Sequence, residues 1–433
     1  MLARRLFRSS ILVPLSPSRV YPSSLISRRF SVASSSRANM LQPRDFSASN
    51  FQMIDPSYKV EEEKLPTYKR EAYYPMRIGE VIHGQYQVVA KLGYGISSTV
   101  WLCRDLREEN KYWALKVYVN TLDWNQELQF PGRNHVRHLE SYFKLKGPHG
   151  EHDVFVIQPL GLSLRTFAGI TRTGVLPESS VAIAVQQVVA GLVYLHEAGV
   201  IHADLHADNL LNAITEGSTI LSRVEEKELQ EPSPRKQDHD RLIYVSRAML
   251  GCHGPLTICD FGQARIGDDK DSKHTGNAMP VPYRAPEVIL KMPWGNEIDV
   301  WSVGLLTWDL LNKDHPLFDL YDRENQELND AHHLAAMTAL RGPPPPEFLK
   351  RNLEETSKYW DEDGQWKGPV PLPSNTKTIE ELVSTMAGID DKKWFQNFIE
   401  CCVEWQGRIT PLQAFFHPWI KGQTSESVEK ESP

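Results

Sequence analysis

The stretch His202-Ala203-Asp204-Leu205-His206-Ala207-Asp208-Asn209 follows an apolar run in which Val181, Ala184, Val185, Val188, Leu192 and Leu195 recur at helical intervals. This spacing puts a carboxylate able to orient a hydroxyl nucleophile, Asp204, and an amide oxygen able to hold a divalent metal, Asn209, on one loop after a helix. Downstream, Asp260-Phe261-Gly262 follows the apolar run Leu256-Thr257-Ile258-Cys259 and offers a second metal ligand in Asp260. Ala285-Pro286-Glu287 comes next, then a helical stretch from Asp299 to Leu311 that opens with Asp299-Val300-Trp301-Ser302-Val303-Gly304. Arg408 is expected as a buried partner of Glu287.

Upstream of that loop the pattern changes. Tyr86-Gln87-Val88-Val89, Thr99-Val100-Trp101-Leu102, Tyr112-Trp113-Ala114-Leu115-Lys116-Val117-Tyr118 and Val154-Phe155-Val156-Ile157 are short, β-branched and aromatic, and broken by Gly and polar turns. They read as strands of an antiparallel sheet. Gly93-Tyr94-Gly95-Ile96-Ser97-Ser98 lies between two of them, unlike a dinucleotide fingerprint, which opens a helix. Glycines in such a hairpin let backbone amides close over phosphates. Lys116 stands mid-strand, where an apolar residue is the rule, and so needs an anionic partner. The α/β-phosphates of ATP and Glu127, in the segment 122–130, would supply it. A small β-rich lobe, a larger helical lobe and a cleft between them are expected.

Of 433 residues, 41% are hydrophobic and 24% charged, the composition of a globular protein. No apolar run approaches the roughly 18 residues of a membrane span, so none is expected. The first 44 residues hold eight Arg and no Asp or Glu, and without them 40 basic side chains face 55 acidic ones, a balance of −15. An acidic body argues against general nucleic-acid binding and favours basic partners. Residues 1–44, rich in Arg and Ser, have the composition of a mitochondrial transit peptide. Residues 45–85 read as linker and N-terminal extension, 214–250 as a solvated polar insert, and 421–433 as a disordered tail. Cys103, Cys252, Cys259, Cys401 and Cys402, scattered without a CxxC pair, read as small buried hydrophobes.

Taken in this order, these motifs resemble the eukaryotic protein kinase superfamily over residues 86–420, with 86–160 as the N-lobe and 161–420 as the C-lobe. Ile78-Gly79-Glu80, Gly84-Gln85-Tyr86, Lys91-Leu92-Gly93-Tyr94-Gly95 and Ser98-Thr99-Val100-Trp101-Leu102 are similar to the start of SR-protein kinases. His135-Val136-Arg137 and Gly147-Pro148-His149-Gly150 are similar to fungal members of that group. The resemblance implies an α+β bilobal fold and transfer of the ATP γ-phosphoryl group, with Mg²⁺, to Ser or Thr of a protein substrate, in this family an Arg/Ser-rich one. It assigns Asp204 as catalytic base, Lys116 and Glu127 as the phosphate-anchoring pair, and Asn209 and Asp260 as metal ligands. Gly93, Tyr94 and Gly95 would cover the triphosphate, and Val100, Ala114 and Leu211 would enclose the adenine. A monomer acting in cytoplasm or nucleus is expected on the same ground, against the mitochondrial pointer in residues 1–44.

The pattern departs from the family at several positions. Ser98 stands where a third loop Gly is usual, which stiffens the loop. His206 takes the place of the Lys that contacts the γ-phosphate, and H-x-D-x-H-x-x-N is also found in aminoglycoside- and choline-type phosphotransferases. Ala203 replaces the Arg that reads an activation-segment phosphate, and Pro280 replaces a substrate-loop Thr. Pro131-Gly132 would stop the helix of Glu127 after about two turns. A pseudokinase scaffold and a small-molecule phosphotransferase therefore stand as alternatives.

Overall fold

In a computed structural model the described residues are 40–47, 50–120, 135–267, 271–312, 315–322, 327–374 and 377–423. Glu127, the segment 122–130 and Pro131-Gly132 fall outside them, as do nearly all of the Arg-rich start and tail. The chain divides into the units Met1–Leu41 and Gln42–Pro433; all that follows concerns the second.

The N-lobe is a six-stranded antiparallel sheet in the order β1-β2-β3-β4-β6-β5, with β1 Val81–Ile82, β2 Tyr86–Tyr94, β3 Ser98–Asp105, β4 Tyr112–Tyr118, β5 Leu139–Gly147 and β6 Gly150–Ile157. The four runs read as strands from sequence are β2, β3, β4 and β6. The β5 hairpin arm was not among them. Alternation sorts the side chains: Trp101, Cys103, Leu115, Val117, Val154 and Val156 form a buried cluster on one face. Ala114, Lys116 and Tyr118 point to the other, where Ala114, Tyr118, Phe155 and Ile157 pack with Val100. Register then puts Lys116 between Val100 on β3 and Phe155 on β6, and Gly93 opposite Val100. The mid-strand cation thus lies on the same sheet face as the apolar patch and next to the glycine hairpin.

Two expectations are corrected here. Residues 45–85 are not a loose linker: single turns at Glu61–Lys64 and Arg70–Ala72 pack on the lobe, and Glu62, Tyr73 and Met76 are buried. Nor is 214–250 a solvated excursion. It forms a helix at Ile220–Gln230 and an antiparallel pair, Arg235–Asp238 with Arg241–Tyr244, that return to the N-lobe. Its charged residues include Glu225, Glu228, Arg235, Lys236 and Arg241, all buried. They are tolerated because each is paired. Glu225 accepts from the Tyr112 hydroxyl of β4, Glu228 meets Ser233 and Arg247, and Arg241 and Lys91 both reach Glu62. Composition alone hid this, because polar residues that neutralise one another look the same in sequence as a solvated run.

The C-lobe is built on two long helices, α1 Glu178–Glu197 and α2 Glu297–Leu311. Helix α1 is long and apolar enough to cross a membrane, but Val181, Val185, Val188, Leu192 and Leu195 lie in the lobe's core. Helix α2 is apolar nearly all round and buried on all sides, as a central core helix must be. Gly304 lets it approach the helix Lys392–Cys402: a Cβ there would meet Cys402 Cβ at 2.7 Å. The expected Glu287–Arg408 pair is present and bidentate, at 2.6 and 2.8 Å, with both side chains almost wholly buried. Four of the five cysteines are buried and all are free.

Candidate active site

Asp204 and Asn209 occupy a loop between two short strands, Val200–Ile201 and Leu210–Ala213. Three tethers shape it. The Asn209 amide donates to the Asp204 carbonyl at 2.8 Å and to its Oδ2 at 3.1 Å, closing the loop on itself. His202, fully buried, contacts the Cys259 carbonyl through Nε2 at 3.0 Å and accepts from the Asp204 amide at 3.3 Å. That fastens the loop to the strand Leu256–Ile258, next to Asp260.

The third tether is Asp299 on α2. Its Oδ2 accepts from His202 N at 2.8 Å and its Oδ1 from Ala203 N at 2.9 Å. The same Oδ2 meets His196 Nε2 at 2.9 Å. Burial works to raise the Asp299 carboxyl, yet its hydrogen bond and charge interaction with His196 outweigh this and hold it below the ordinary value. Ala203 has φ +61, a left-handed conformation costly for a residue with a Cβ, and Asp260 has φ +62. Both loops therefore carry strained backbone at the point where they meet.

Lys116 Nζ lies 2.9 Å from Asp260 Oδ1. Desolvation pushes the Asp260 carboxyl upward, and the adjacent Lys116 ammonium overrides it, lowering the value. Of the sequence-predicted residues, the structure thus brings Lys116 and Asp260 together and joins Asp204 to Asn209 and His206. His206 Nε2 is 3.7 Å from Asp204 Oδ1 and its Nδ1 is 3.4 Å from Asp208 Oδ2. Burial works to lower the imidazole, but these two carboxylates push it up to about 9, so the ring is cationic at neutral pH. Two N–H groups favour the neutral ring, the Asn209 side-chain amide 3.1 Å from the same Nε2 and the Asp208 backbone amide 3.4 Å from Nδ1; the two carboxylates outweigh them. Arg165 in turn holds Asp208 at 2.6 Å.

Gly93 and Tyr94 end β2, and Gly95 N donates to Ser98 O at 2.8 Å to close the glycine hairpin. Val100 and Ala114 share one apolar patch on the N-lobe sheet, while Leu211 sits on the three-stranded sheet that carries the loop's exit. Sequence reasoning quoted Asp299 without giving it a role. A carboxylate set between Ile298 and Val300 at the start of an apolar helix was the available signal, since such a group requires a buried partner. Nothing in Tyr73-Tyr74 signalled that Tyr73 would reach the glycine hairpin, as it does through Gly95 O and Ile96 O at 3.1 Å each.

Comparison with known proteins agrees with this architecture. The protein kinase domain family matches residues 86–420. A serine/threonine protein kinase of Aspergillus fumigatus is 38% identical over 401 residues, covering 88% of this chain and 96% of that protein. A serine/threonine-protein kinase SRPK of Physarum polycephalum is 28% identical over 345 residues, 71% of this chain and 78% of its own length. A solved kinase domain superposes with a TM-score of 0.55 over 81% of this chain and 99% of its own, at 20% identity, which speaks to the fold alone. This chain belongs to the protein kinase family and is a protein serine/threonine kinase.

Proposed function

We propose that this kinase uses ATP and Mg²⁺ to phosphorylate Ser in basic, Arg/Ser-rich proteins. The observation that carries the reading is the meeting of two loops, one with Asp204 and Asn209 and the other with Asp260, joined where Cys259 N donates to Asn209 O at 2.8 Å, with Lys116 of β4 reaching Asp260. The donor set fits Mg²⁺. Asp260 and the Asn209 side-chain oxygen are two hard ligands. Mg²⁺ commonly takes one or two protein oxygens and completes its shell with phosphates and water. When bound, it would neutralise charge building on the phosphates.

The chain's own residues supply positioning. Lys116, with three donors, can hold nucleotide phosphates while keeping Asp260, and Glu127 is its second proposed partner. Gly93, Tyr94 and Gly95 cover the triphosphate, and Val100, Ala114 and Leu211 enclose the base. The Asp204 carboxylate accepts the hydrogen bond of the substrate hydroxyl and takes its proton, while the His206 cation faces the transferred group. Because the transition state is loose, most of the rate comes from this alignment. A basic substrate is supported by the −15 balance of residues 45–433 and by the resemblance to the Physarum SRPK.

Purified full-length protein with Mg²⁺ and labelled ATP tests this against three acceptors: an Arg/Ser-repeat peptide, a Ser peptide with acidic flanks, and an aminoglycoside. Label on the Arg/Ser peptide at least tenfold above the acidic one is expected. Label on the aminoglycoside alone, or on nothing, contradicts the reading.

A further inference from the structure

The glycine hairpin is tied to the N-terminal extension. Tyr73, at the end of the turn Arg70–Ala72, is 4% exposed, and its hydroxyl is shared between the Gly95 and Ile96 carbonyls at 3.1 Å each. Apart from this and the Val119 N–H, which donates to Ser97 O at 2.9 Å, the hairpin tip is open: Ile96 is 63% exposed and a Cβ on Gly93 would meet nothing within 4 Å. A trans peptide is planar, with N–H opposite C=O. A donor that anchors the carbonyls of Gly95 and Ile96 therefore turns the amides of Ile96 and Ser97 to the opposite side, away from Tyr73.

Tyr73 stands on a rigid base. The Arg241 guanidinium lies 5.2 Å from its ring centre, and the Tyr68 ring packs at 5.5 Å. Arg241 donates to Glu62, and Lys91, on β2 two residues before Gly93, donates to the other Glu62 oxygen. The Lys91 ammonium is also 5.1 Å from the Tyr94 ring centre. From the insert, Arg247 N donates to Lys91 O at 2.8 Å. The extension further grips the end of the Lys116 strand, where Asn120 N donates to Ala72 O at 3.0 Å and its side chain to Glu71 O at 3.1 Å.

We infer that Tyr73 is a positioning residue for the nucleotide: its hydroxyl, braced by the buried Glu62–Lys91–Arg241 cluster, sets the hairpin amides toward the phosphates. This rests on the phosphotransfer reading. It makes the extension part of the ATP site although it lies outside the matched domain.

The test uses full-length Tyr73→Phe, which keeps the ring and removes only the donor. Backbone hydrogen exchange over 93–99 is measured without nucleotide, and ATP KM and kcat are measured separately. Loss of one hydrogen bond corresponds to about fivefold. Exchange in the hairpin is expected to rise about fivefold and ATP KM about fivefold, with kcat within twofold and a melting temperature lowered by no more than about 4 °C, the effect of one lost bond. A merely structural role would lower the melting temperature and leave KM alone. Unchanged exchange overturns the brace, and faster exchange with unchanged KM overturns the positioning role. A wild-type chain without ATP turnover defeats the phosphotransfer reading, and the exchange arm still decides the brace.

Discussion

Replacing Asp299 with Asn exchanges one oxygen for an NH₂ group and tests how the proposed catalytic loop is held. In the native helix, Oδ2 serves His196 and His202 N while Oδ1 serves Ala203 N. Asn can place its oxygen on only one side. Keeping the His202 bond leaves its NH₂ facing the Ala203 N–H, two donors in a site where Ala203 is 1% exposed. Each unsatisfied buried donor costs about 1–3 kcal/mol, and here two face each other. A loss of about 2–4 kcal/mol in unfolding free energy is expected by urea titration at pH 7.5. Ala203 then loses one of the bonds holding its φ of +61, leaving the Met279 N to Ala203 O bond at 3.0 Å. If the loop relaxes, Asp204 moves, and a misplacement of about 1 Å lowers the rate about 100-fold. The signature is a large fall in kcat with ATP KM within about threefold. Wild-type kcat together with wild-type stability would refute the argument that Asp299 shapes the loop.

Glu62→Gln leaves Arg241, almost fully buried, beside a neutral group and Lys91 with Glu61 alone, at 3.5 Å, so calorimetry should show destabilisation of about 3–5 kcal/mol. His333 is wholly buried with neither ring nitrogen bonded, and burial, aided by the Arg284 charge, lowers it to about 3. Since the unfolded chain takes up that proton near pH 6.5 and the folded one does not, stability is lost as pH falls below 6.5. The loss continues down to the folded value, at up to about 1.4 kcal/mol per pH unit. His333→Leu should remove that slope between pH 6.5 and 5 in urea melts without loss at pH 7.5. Phosphatase treatment should leave kinase activity within about twofold, because Ala203 offers no cation to read an activation-segment phosphate; a large loss would show that another residue reads it.

Four of the six N-lobe strands and the helices α1 and α2 were legible because periodicity is a local property, and Tyr112–Tyr118 coincides with its strand. The loop proposed as catalytic is legible as a local unit because Asp204 and Asn209 stand within eight consecutive residues. The β5 arm Leu139–Gly147 was missed since its mostly exposed side chains dilute the alternation. What sequence order could not display was pairing across distance: Glu62 with Arg241, Glu225 with Tyr112, Asp299 with the loop amides. Each of these buries charge in a segment whose composition reads as solvent-facing or apolar, and only the fold brings the partner.

The most direct test of the account is phosphoryl transfer by Asp204→Asn, measured from labelled ATP with Mg²⁺ and an Arg/Ser peptide beside wild type. Asn209 keeps its bond to the residue-204 carbonyl, so the loop should hold its shape. Loss of a positioned base should lower kcat by at least about two orders of magnitude with ATP binding nearly intact. Turnover close to wild type would contradict the assignment of this loop as the catalytic centre.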